Sequence, residues 1–287
     1  MHQNIVILAG GVSSRMKKAQ PASAQLDPVL RRDAEEKSKS MIGVGGEHRP
    51  FLDYLLHNIA VAGYRHVVIL IGEKDDSIRT YYENGRGAAQ FANLKINYVR
   101  QPIPAGRTRP LGTADALWHA LKATPEWHGE CFTVCNSDNL YSAEALRLML
   151  EAPHANAMID YDRAALQFSP ERISAFAVLK KNSRGYLSDI IEKPSPEEMD
   201  SVAVEGRIGV SMNIFRLAYD QILPCLETVP LHPIREEKEL PAAVKIMVEK
   251  NPHAVFTIPR AEPVPDLTLQ SDILVVQEYL QKTFHER

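Results

Sequence analysis

Short apolar segments alternate with longer amphipathic segments through the first half of the chain. NIVILA and HVVILIG are continuous, β-branched runs, which is the pattern of strands buried on both faces of a parallel sheet. The segment from Pro50 to Gly63 has apolar residues at helical spacing, and proline and glycine are typical of helix starts and ends. Further strands are predicted at LKINYVRQ and CFTVCNSD, and further helices at DSIRTYYENG, GTADALWHALKAT and SAEALRLMLEA. This alternation predicts the α/β class, with a doubly wound, mostly parallel, Rossmann-like sheet and helices on both faces.

The pattern changes after Ala152. Three strand-like segments follow one another without long crossover helices, and two helical segments come after them. The strand-like segments are ISAFAVLKK, GYLSDIIEKP and GRIGVSMNIF, and the helical ones are ELPAAVKIMVEK and LQSDILVVQEYLQKTF. We interpret this part as a β/α extension of the sheet that forms one wall of a cleft. We expect a single domain over residues 1–287, with halves at 1–152 and 153–287.

Residues 17–38 differ from the rest of the first half. They are rich in Ala, Ser, Gln, Lys and Glu and contain two prolines, which predicts a loop insertion with a helical turn near PVLRRDAEEK. Such a segment can be an active-site lid that a ligand orders. It can also be a surface insertion that the fold tolerates. Both interpretations stay open.

The composition narrows the class of protein. The formal net charge of −3 lacks the basic excess of a general nucleic-acid binder. The chain has no apolar run long enough to span a membrane and no basic segment ahead of an apolar stretch at its N-terminus. Cys131, Cys135 and Cys225 have no metal-binding spacing. We therefore expect a cytoplasmic protein with reduced, buried thiols and without a nucleic-acid or membrane partner.

The residues after the first strand are the first candidates for a site, because ligands of open α/β sheets bind beyond the carboxyl ends of the strands. This segment is Gly10-Gly11-Val12-Ser13-Ser14-Arg15. The glycines allow backbone N–H groups to approach an anion, and the arginine side chain is suited to phosphate. The same residues fit an ordinary turn with a solvated arginine. Their spacing is neither that of a Walker loop nor G-x-G-x-x-G.

The next two candidate positions also follow predicted strands. Gln101 offers an amide to the edge of a base, and Gly112 would let a flat base lie against the backbone. Thr113 and Asp115 fit ordinary helix capping equally well. Asp138 follows the fourth strand, where its carboxylate could hold a hard cation such as Mg²⁺ beside phosphates or simply begin a turn.

Two acidic positions lie in the second half. In DIIEKP, the Glu192 carboxylate could accept from sugar hydroxyls and the Lys193 ammonium could bind a phosphate. Such a neighbouring pair is more often a solvated surface pair. Asp266 precedes the last predicted helix. Its carboxylate could be a second metal ligand, or it could be an ordinary acidic residue at a helix start.

In this order, the motifs resemble those of the sugar-phosphate nucleotidyltransferases, the nucleotide-sugar pyrophosphorylases. The family's L-A-G-G-x-G/S-S/T-R-M loop matches residues 8–16, and KSMIGVGGEHRPFLDYLL is similar to its lysine segment, with Lys39 as the lysine. LGTADAL, NSDNLY and IIEKP resemble its base-binding, metal-binding and sugar-binding motifs. The resemblance extends from Ile5 to about Tyr279.

The resemblance implies the reaction of an NTP with a sugar 1-phosphate of the glucose or mannose type to give an NDP-sugar and pyrophosphate. It implies catalytic roles for Arg15, Lys39 and Asp138, with Mg²⁺ held by Asp138 and Asp266. It implies nucleotide binding by Leu8, Ala9, Gly10, Gly11, Ser13, Ser14, Gln101, Gly112 and Thr113. It implies sugar-phosphate binding by Asn139, Glu192, Lys193 and Asn213. The partners would be the two substrates, and the resemblance leaves a homo-oligomer open.

The sequence departs from the family pattern at three places. Ser13 replaces a glycine of many members, so we expect a backbone without strongly positive φ there. A serine precedes Asp138 where the family has glycine, and VPDLTLQSD lacks the Gly-Thr that usually follows the tail aspartate. Two alternatives therefore remain: a cytidylyltransferase for a non-sugar phosphate such as phosphocholine, and a catalytically silent regulatory subunit that binds nucleotide-sugars.

Overall fold

The computed structural model of the protein describes residues 3–18, 26–174 and 176–284. One sheet of ten strands runs through these residues. The first four strands are parallel to one another. They are β1 (Asn4–Ala9), β2 (His66–Gly72), β3 (Lys95–Gln101) and β4 (Cys131–Asn136). All four strands predicted for this half are therefore confirmed.

Helices cover both faces of this parallel part. Alternate residues of β1 belong to two separate cores, with Ile5 in one and Val6 in the other. The helix predicted between proline and glycine begins after Pro50 and ends at Gly63, whose φ of 107° is left-handed. This helix is α2 (Phe51–Ala62). The helices that follow it in this half are α3 (Ser77–Asn84), α4 (Gly87–Gln90), α5 (Thr113–Lys122) and α6 (Ala143–Glu151). The doubly wound α/β fold is thus confirmed.

The second half continues the same sheet, mostly with antiparallel pairs. Its strands are β5 (Ala157–Asp162), β6 (Val178–Lys181), β7 (Leu187–Ile191), β8 (Gly209–Val210), β9 (Phe215–Ala218) and β10 (Phe256–Arg260). Among the described residues of this half, β10 with β5 is the one parallel pair. The order across the sheet is β3-β2-β1-β4-β9-β5-β8-β6-β7, and β10 pairs with β5. The helices of this half are α7 (Pro170–Ile173), α8 (Pro196–Val202), α9 (Tyr219–Thr228), α10 (Leu240–Lys250) and α11 (Asp272–Phe284). The predicted β/α extension is present, but with more elements than the sequence indicated.

Two predicted strands are shorter or broken. ISAFAVLKK begins in α7 and becomes a strand only at Val178. GRIGVSMNIF divides into β8 and the start of β9, and Asn213 between them has a left-handed φ of 55°. This turn breaks the strand because an extended chain does not accommodate a left-handed residue.

The predicted insertion contains more structure than a single helical turn. Residues 28–36 form a helix, α1 (Pro28–Glu36), which begins after the Asp27 cap. Residues 19–25 of the predicted insertion lie outside the described residues. Among the helices of the described residues, none has the length and apolar composition needed to cross a membrane.

Candidate active site

The loop after β1 lies at the carboxyl edge of the parallel strands. Gly10 is packed closely: a Cβ there would lie 3.1 Å from Gln101 Oε1 and 3.2 Å from Leu70 Cδ2. Gly11, in contrast, has open space around its α-carbon. This edge therefore leaves little room for a side chain at Gly10 and leaves the next backbone position accessible to a ligand.

Ser13 does not have the backbone that we expected. The expectation of a φ that is not strongly positive is wrong, because φ is 55°, in the left-handed region. That region is accessible to L-residues at some cost, and glycine adopts it freely, which explains why glycine is common at this position. The buried Ser13 side chain accepts a hydrogen bond from the backbone N–H of Lys39 at 3.3 Å. The loop is thereby connected to the segment that carries the lysine.

Lys39 and Asp138 form an ion pair. Lys39 lies in a 3₁₀ turn (Lys39–Met41), and its Nζ lies 2.8 Å from Asp138 Oδ2. Asp138 follows β4, two residues beyond its end. A small cavity of about 80 Å³ at this point is lined by both residues together with Leu8, Ala9, Gly11, Ser13, Ser38, Ser40 and Ser137. The three residues Lys39, Asp138 and Ser13, from separate parts of the sequence, therefore meet at one place.

Asp266 lies next to Asp138, as predicted for a metal pair. Asn139 and Asp266 form an isolated antiparallel bridge, and Leu267 N donates to Asp138 O at 2.9 Å. Burial and the nearby Asp138 charge raise the pKa of Asp266 from 3.8 to about 6. Two carboxylates are the hard oxygen donors that Mg²⁺ prefers. A divalent cation bound by this pair would relieve their repulsion, so the residues present fit a magnesium ion.

Arg172 is a site residue that the sequence did not reveal. Its Nη2 lies 2.8 Å from Asp266 Oδ2 and its Nη1 lies 2.5 Å from Asp272 Oδ1. Its guanidinium also stacks over the Phe168 ring at 4.6 Å. Thr268 Oγ1 donates to Asp266 Oδ1 at 2.8 Å. The tail aspartate is thus held by an arginine and a threonine although the usual Gly-Thr is missing.

A larger cavity of about 400 Å³ lies on the other side of the glycine loop. Gln101 is buried at its base, and its Nε2 donates to Gly112 O at 2.9 Å and to Asp115 Oδ2 at 2.8 Å. Its Oε1 faces Gly10. Other lining residues include Gly11, Ser13, Lys17, Glu36, Lys37, Ser38, Gly72, Glu73, Asp75, Ile103 and Pro110. The sequence reasoning missed Gly72, Glu73, Lys74, Asp75 and Ser77, although they lie at and just after the end of β2, where the rule of strand ends points.

Gly112 and Thr113 lie against the segment that leads into α10. Gly112 has a φ of 102°, and a Cβ there would lie 2.6 Å from Lys238 O. Thr113 Oγ1 accepts from Leu240 N at 2.9 Å, so it caps α10 and not its own helix. Neither residue lines the 400 Å³ cavity. A contact of these two residues with nucleotide stays a prediction.

Arg15 is exposed, and its guanidinium has no ion pair with any described residue. It lines a third cavity, of about 630 Å³, together with Arg172 and Asp266. Ser14 is next to it in the same turn. An unpaired guanidinium at the rim of the carboxylate pair is accessible to an anionic group.

The predicted sugar-side residues lie at the end of β7 and around β8. Glu192 Oε2 accepts from Arg235 Nη2 at 2.6 Å, and Arg235 Nε lies 2.5 Å from Glu239 Oε1. Glu239 and Glu192 raise the pKa of Arg235. Lys193 is exposed with a φ of 46°. Arg235 is a second residue that sequence reasoning missed, because an isolated arginine in a loop belongs to no recognisable motif.

Two further predicted residues are held mainly by their backbones. Asn139 is buried in the bridge to Asp266. Asn213 N donates to Ser211 Oγ at 3.2 Å. Within the described residues, the Glu192, His232 and Glu239 side chains are also near enough to share an ion. Arg235 pairs with both of those carboxylates. The Asp138–Asp266 pair is also balanced by cations, Lys39 and Arg172, so its position at the carboxyl ends of the parallel strands is what favours it as the metal site.

The fold matches that of solved nucleotide-sugar enzymes. UDP-glucose pyrophosphorylase complexed with UDP-glucose has a TM-score of 0.69 at 15% identity, over 98% of this chain and 99% of that one. The UTP-bound enzyme from Acinetobacter baumannii has a TM-score of 0.68 at 18% identity, over 98% and 94%. The class defined by the fold is therefore that of α/β proteins with this mostly parallel sheet. The sequence model of the family described as "Nucleotidyl transferase" matches residues 5–218, and the chain belongs to that family.

Curated relatives are similar over part of their length. A glucose-1-phosphate adenylyltransferase of Anaeromyxobacter dehalogenans (strain 2CP-C) is 23% identical over 192 residues, which are 67% of this chain and 42% of that protein. Glucose-1-phosphate adenylyltransferase 2 of Vibrio cholerae serotype O1 is 26% identical over 221 residues, 74% of this chain and 50% of that protein. The chain thus spans half or less of the length of these two relatives. The family resemblance inferred from the motifs is confirmed.

Proposed function

We propose that the protein is a sugar-1-phosphate nucleotidyltransferase, which joins an NTP to a sugar 1-phosphate and releases pyrophosphate. One observation carries the proposal: the glycine loop, the Lys39–Asp138 pair and Asp266 meet at the carboxyl edge of the parallel strands. The names of the curated relatives and the solved pyrophosphorylases support the same reaction. Residues 1–152 would bind the nucleotide, and residues 153–287 would bind the sugar phosphate.

The reaction is an in-line attack of the sugar phosphate's oxygen on the α-phosphorus, with pyrophosphate as the leaving group. Catalysis of this kind depends on positioning and on neutralising charge. Arg15 would bind the leaving phosphates together with the loop N–H groups, and Lys39 would neutralise the α-phosphate. Mg²⁺ held by Asp138 and Asp266 would supply further charge neutralisation at the phosphates.

The substrates occupy the two sides of this centre in the proposal. The 400 Å³ cavity, with Gln101 at its base, would take the base and ribose. Glu192, Lys193 and Asn213 would bind the sugar phosphate, and the relatives favour a glucose-type sugar. An enzyme of this kind would act in the cytoplasm, as the free cysteines also suggest, and a homo-oligomer would be consistent with it.

A matrix of pyrophosphate release tests the proposal. ATP, UTP, GTP, CTP and dTTP are each combined with glucose, galactose and mannose 1-phosphates in the presence of Mg²⁺. We expect turnover with at least one pair, and its loss in Asp138→Ala. Turnover with CTP and phosphocholine alone would indicate a non-sugar cytidylyltransferase. Calorimetric binding of an NDP-sugar without turnover of any pair would indicate a silent regulatory subunit.

A further inference from the structure

Helix α1 is part of the hydrophobic core, although the sequence indicated an insertion. Leu30 and Ala34 on one of its faces are 4% and 0% exposed. With Leu26 just before the helix, they belong to the same core cluster as Ile5 of β1 and Phe51 of α2. A surface insertion that the fold merely tolerates would not bury three apolar side chains in the main hydrophobic core.

Asp33 is the buried polar residue of this helix, with 5% of its surface exposed. Its Oδ2 accepts from the backbone N–H of Gly43 at 3.1 Å, and its Oδ1 lies 2.8 Å from Lys37 Nζ. Buried carboxylates need such partners because an unpaired charge in the interior is costly. One carboxylate therefore connects two points of the chain, one before and one after Lys39.

The connection fixes the segment on which Lys39 lies. Between Lys37 and Gly43 the chain makes the 3₁₀ turn that begins at Lys39, and Ile42 N donates to Lys39 O at 3.2 Å. Lys39 reaches both other parts of the site from there: its N–H donates to Ser13 Oγ and its Nζ contacts Asp138. A change in the position of this segment would move Lys39 relative to both.

The end of α1 also forms part of the nucleotide cavity. Glu36 and Lys37, at the end of the helix, line it together with Ser38. The glycine loop and Gln101 line the same cavity. The helix therefore contributes a wall of the cavity in addition to holding the lysine segment.

We propose that α1 is a built part of the nucleotide site and that Asp33 is a positioning residue that holds Lys39 in place. The proposal rests on the proposed function, because Lys39 matters only if phosphate charge is neutralised there. A misplacement of about 1 Å can lower a rate about 100-fold when catalysis depends on position. Asp33 itself does not touch the substrate. It acts through the lysine.

Two substitutions at Asp33 test the role of its carboxylate. Asp33→Ala removes both contacts, and we expect kcat to fall about 10- to 100-fold with a smaller change in the KM for NTP. Asp33→Asn keeps an oxygen that can accept from Gly43 N–H but removes the charge facing Lys37. It should restore much of the kcat lost in Asp33→Ala, because the contact beyond Lys39 is kept.

A double-mutant cycle separates positioning from general damage. In a Lys39→Met background, the Asp33→Ala change should have no further effect on the residual turnover. Asp27→Ala is the matched control, since Asp27 caps the same helix through Val29 N and Leu30 N and is far less buried. It should lower the melting temperature and leave kcat within about twofold.

A labelling experiment tests the proposal without activity. Lys39 has only 14% of its side chain exposed, so an amine-acylating reagent should modify it slowly in the wild type. Asp33→Ala should increase that rate several-fold, read by mass spectrometry of the Lys39 peptide, and Asp27→Ala should not. Three results would each overturn the proposal. They are a wild-type kcat in Asp33→Ala, a fall in turnover on adding Asp33→Ala to Lys39→Met as large as in the wild-type background, and an unchanged rate of Lys39 labelling in Asp33→Ala. Inactivity of the wild type would instead overturn the proposed function, and the labelling result would still decide this one.

Discussion

Two ion pairs of similar length lie in the two halves of the proposed site, in different surroundings. Lys39 and Asp138 are 2.8 Å apart, with 14% and 26% of their side chains exposed. Arg235 and Glu192 are 2.6 Å apart, with 37% and 39% exposed. The first pair also has the largely buried Asp266 beside it. Distance alone therefore does not rank two ion pairs, because burial reduces screening and strengthens every charge interaction around the first pair.

The largest expected effect is at the first pair. Asp138→Ala should lower kcat about 10³-fold, because it removes a proposed metal ligand and the partner of Lys39 where charge develops. Pyrophosphate release under saturating substrates measures this. Asp220→Ala, which removes an exposed aspartate paired with His128, is the control and should keep wild-type kcat. If kcat falls less than about tenfold in Asp138→Ala, the buried Lys39–Asp138 pair is no more important for the reaction than the exposed Arg235–Glu192 pair.

A smaller effect is expected at the exposed rim of the same centre. Arg15→Ala should lower kcat about 100-fold while the melting temperature stays within about 1–2 °C. Stability should not change because the side chain is exposed and has no ion pair with any described residue. Arg15→Lys should recover part of the rate, since it keeps the charge without the fork. A near-normal kcat in Arg15→Ala would contradict the assignment of this residue to the leaving phosphates.

The half that carries the buried pair is also the half that the sequence predicted best. The strands of this part are continuous apolar runs because helices cover both faces, and each crossover helix begins and ends at recognisable residues, as α2 does at Pro50 and Gly63. In such a sheet the strand ends converge, so the positions of Gly10, Gln101 and Asp138 follow from the order of elements. The proposed role of Lys39 came only from the family resemblance, and its contact with Asp138 was not predicted.

The second half was predicted less well, for reasons that can be named. β5 contains Asp160, whose buried carboxylate pairs with Lys181 at 2.6 Å and with Arg207 at 2.7 Å, and a charge interrupts the apolar pattern of a strand. The missed helix α9 contains Pro224, which normally argues against a helix interior. The missed β10 contains Pro259, and proline is tolerated at the edge of a sheet. At Pro259 the strand pairs with β5, and its bridge to Tyr186 lies at Phe256. Tertiary contacts thus override local signals there.

The Asp138–Asp266 repulsion gives a prediction on stability. In metal-free protein, Asp266 binds its proton more tightly when folded, because burial and Asp138 raise its pKa from 3.8 to about 6. The unfolded state therefore binds fewer protons between these values, and the free energy of unfolding should decrease as the pH rises from about 4 to 6. Allowing for the shared titration of the pair, the contribution is about 2 kcal/mol.

Urea denaturation in EDTA at pH 4 and pH 6.5 measures this contribution. The free energy of unfolding should fall less between these two pH values in Asp266→Asn than in the wild type, because the asparagine side chain does not ionise. Added Mg²⁺ should offset the decrease at pH 6.5 in the wild type and have little effect in the variant. If the free energy of unfolding depends on pH equally in the wild type and in Asp266→Asn, Asp138 and Asp266 do not repel each other measurably. The buried centre would then differ less from the exposed Arg235–Glu192 pair.

The smallest effect is expected at the exposed pair itself. Glu192→Gln should raise the KM for the sugar phosphate about tenfold and change kcat little, because an amide still accepts from hydroxyls while the charge paired with Arg235 is lost. Arg235→Gln should raise the same KM, and the double variant should raise it by less than the two single effects combined if the two residues act as a pair.

The matched control is Lys245→Gln, which breaks a similarly exposed pair with Asp189 and should leave KM unchanged. Raising the salt concentration should reduce the Glu192→Gln effect, since exposed charges are screened. A 100-fold loss of kcat in Glu192→Gln would show that the exposed pair takes part in the chemistry as directly as the buried one.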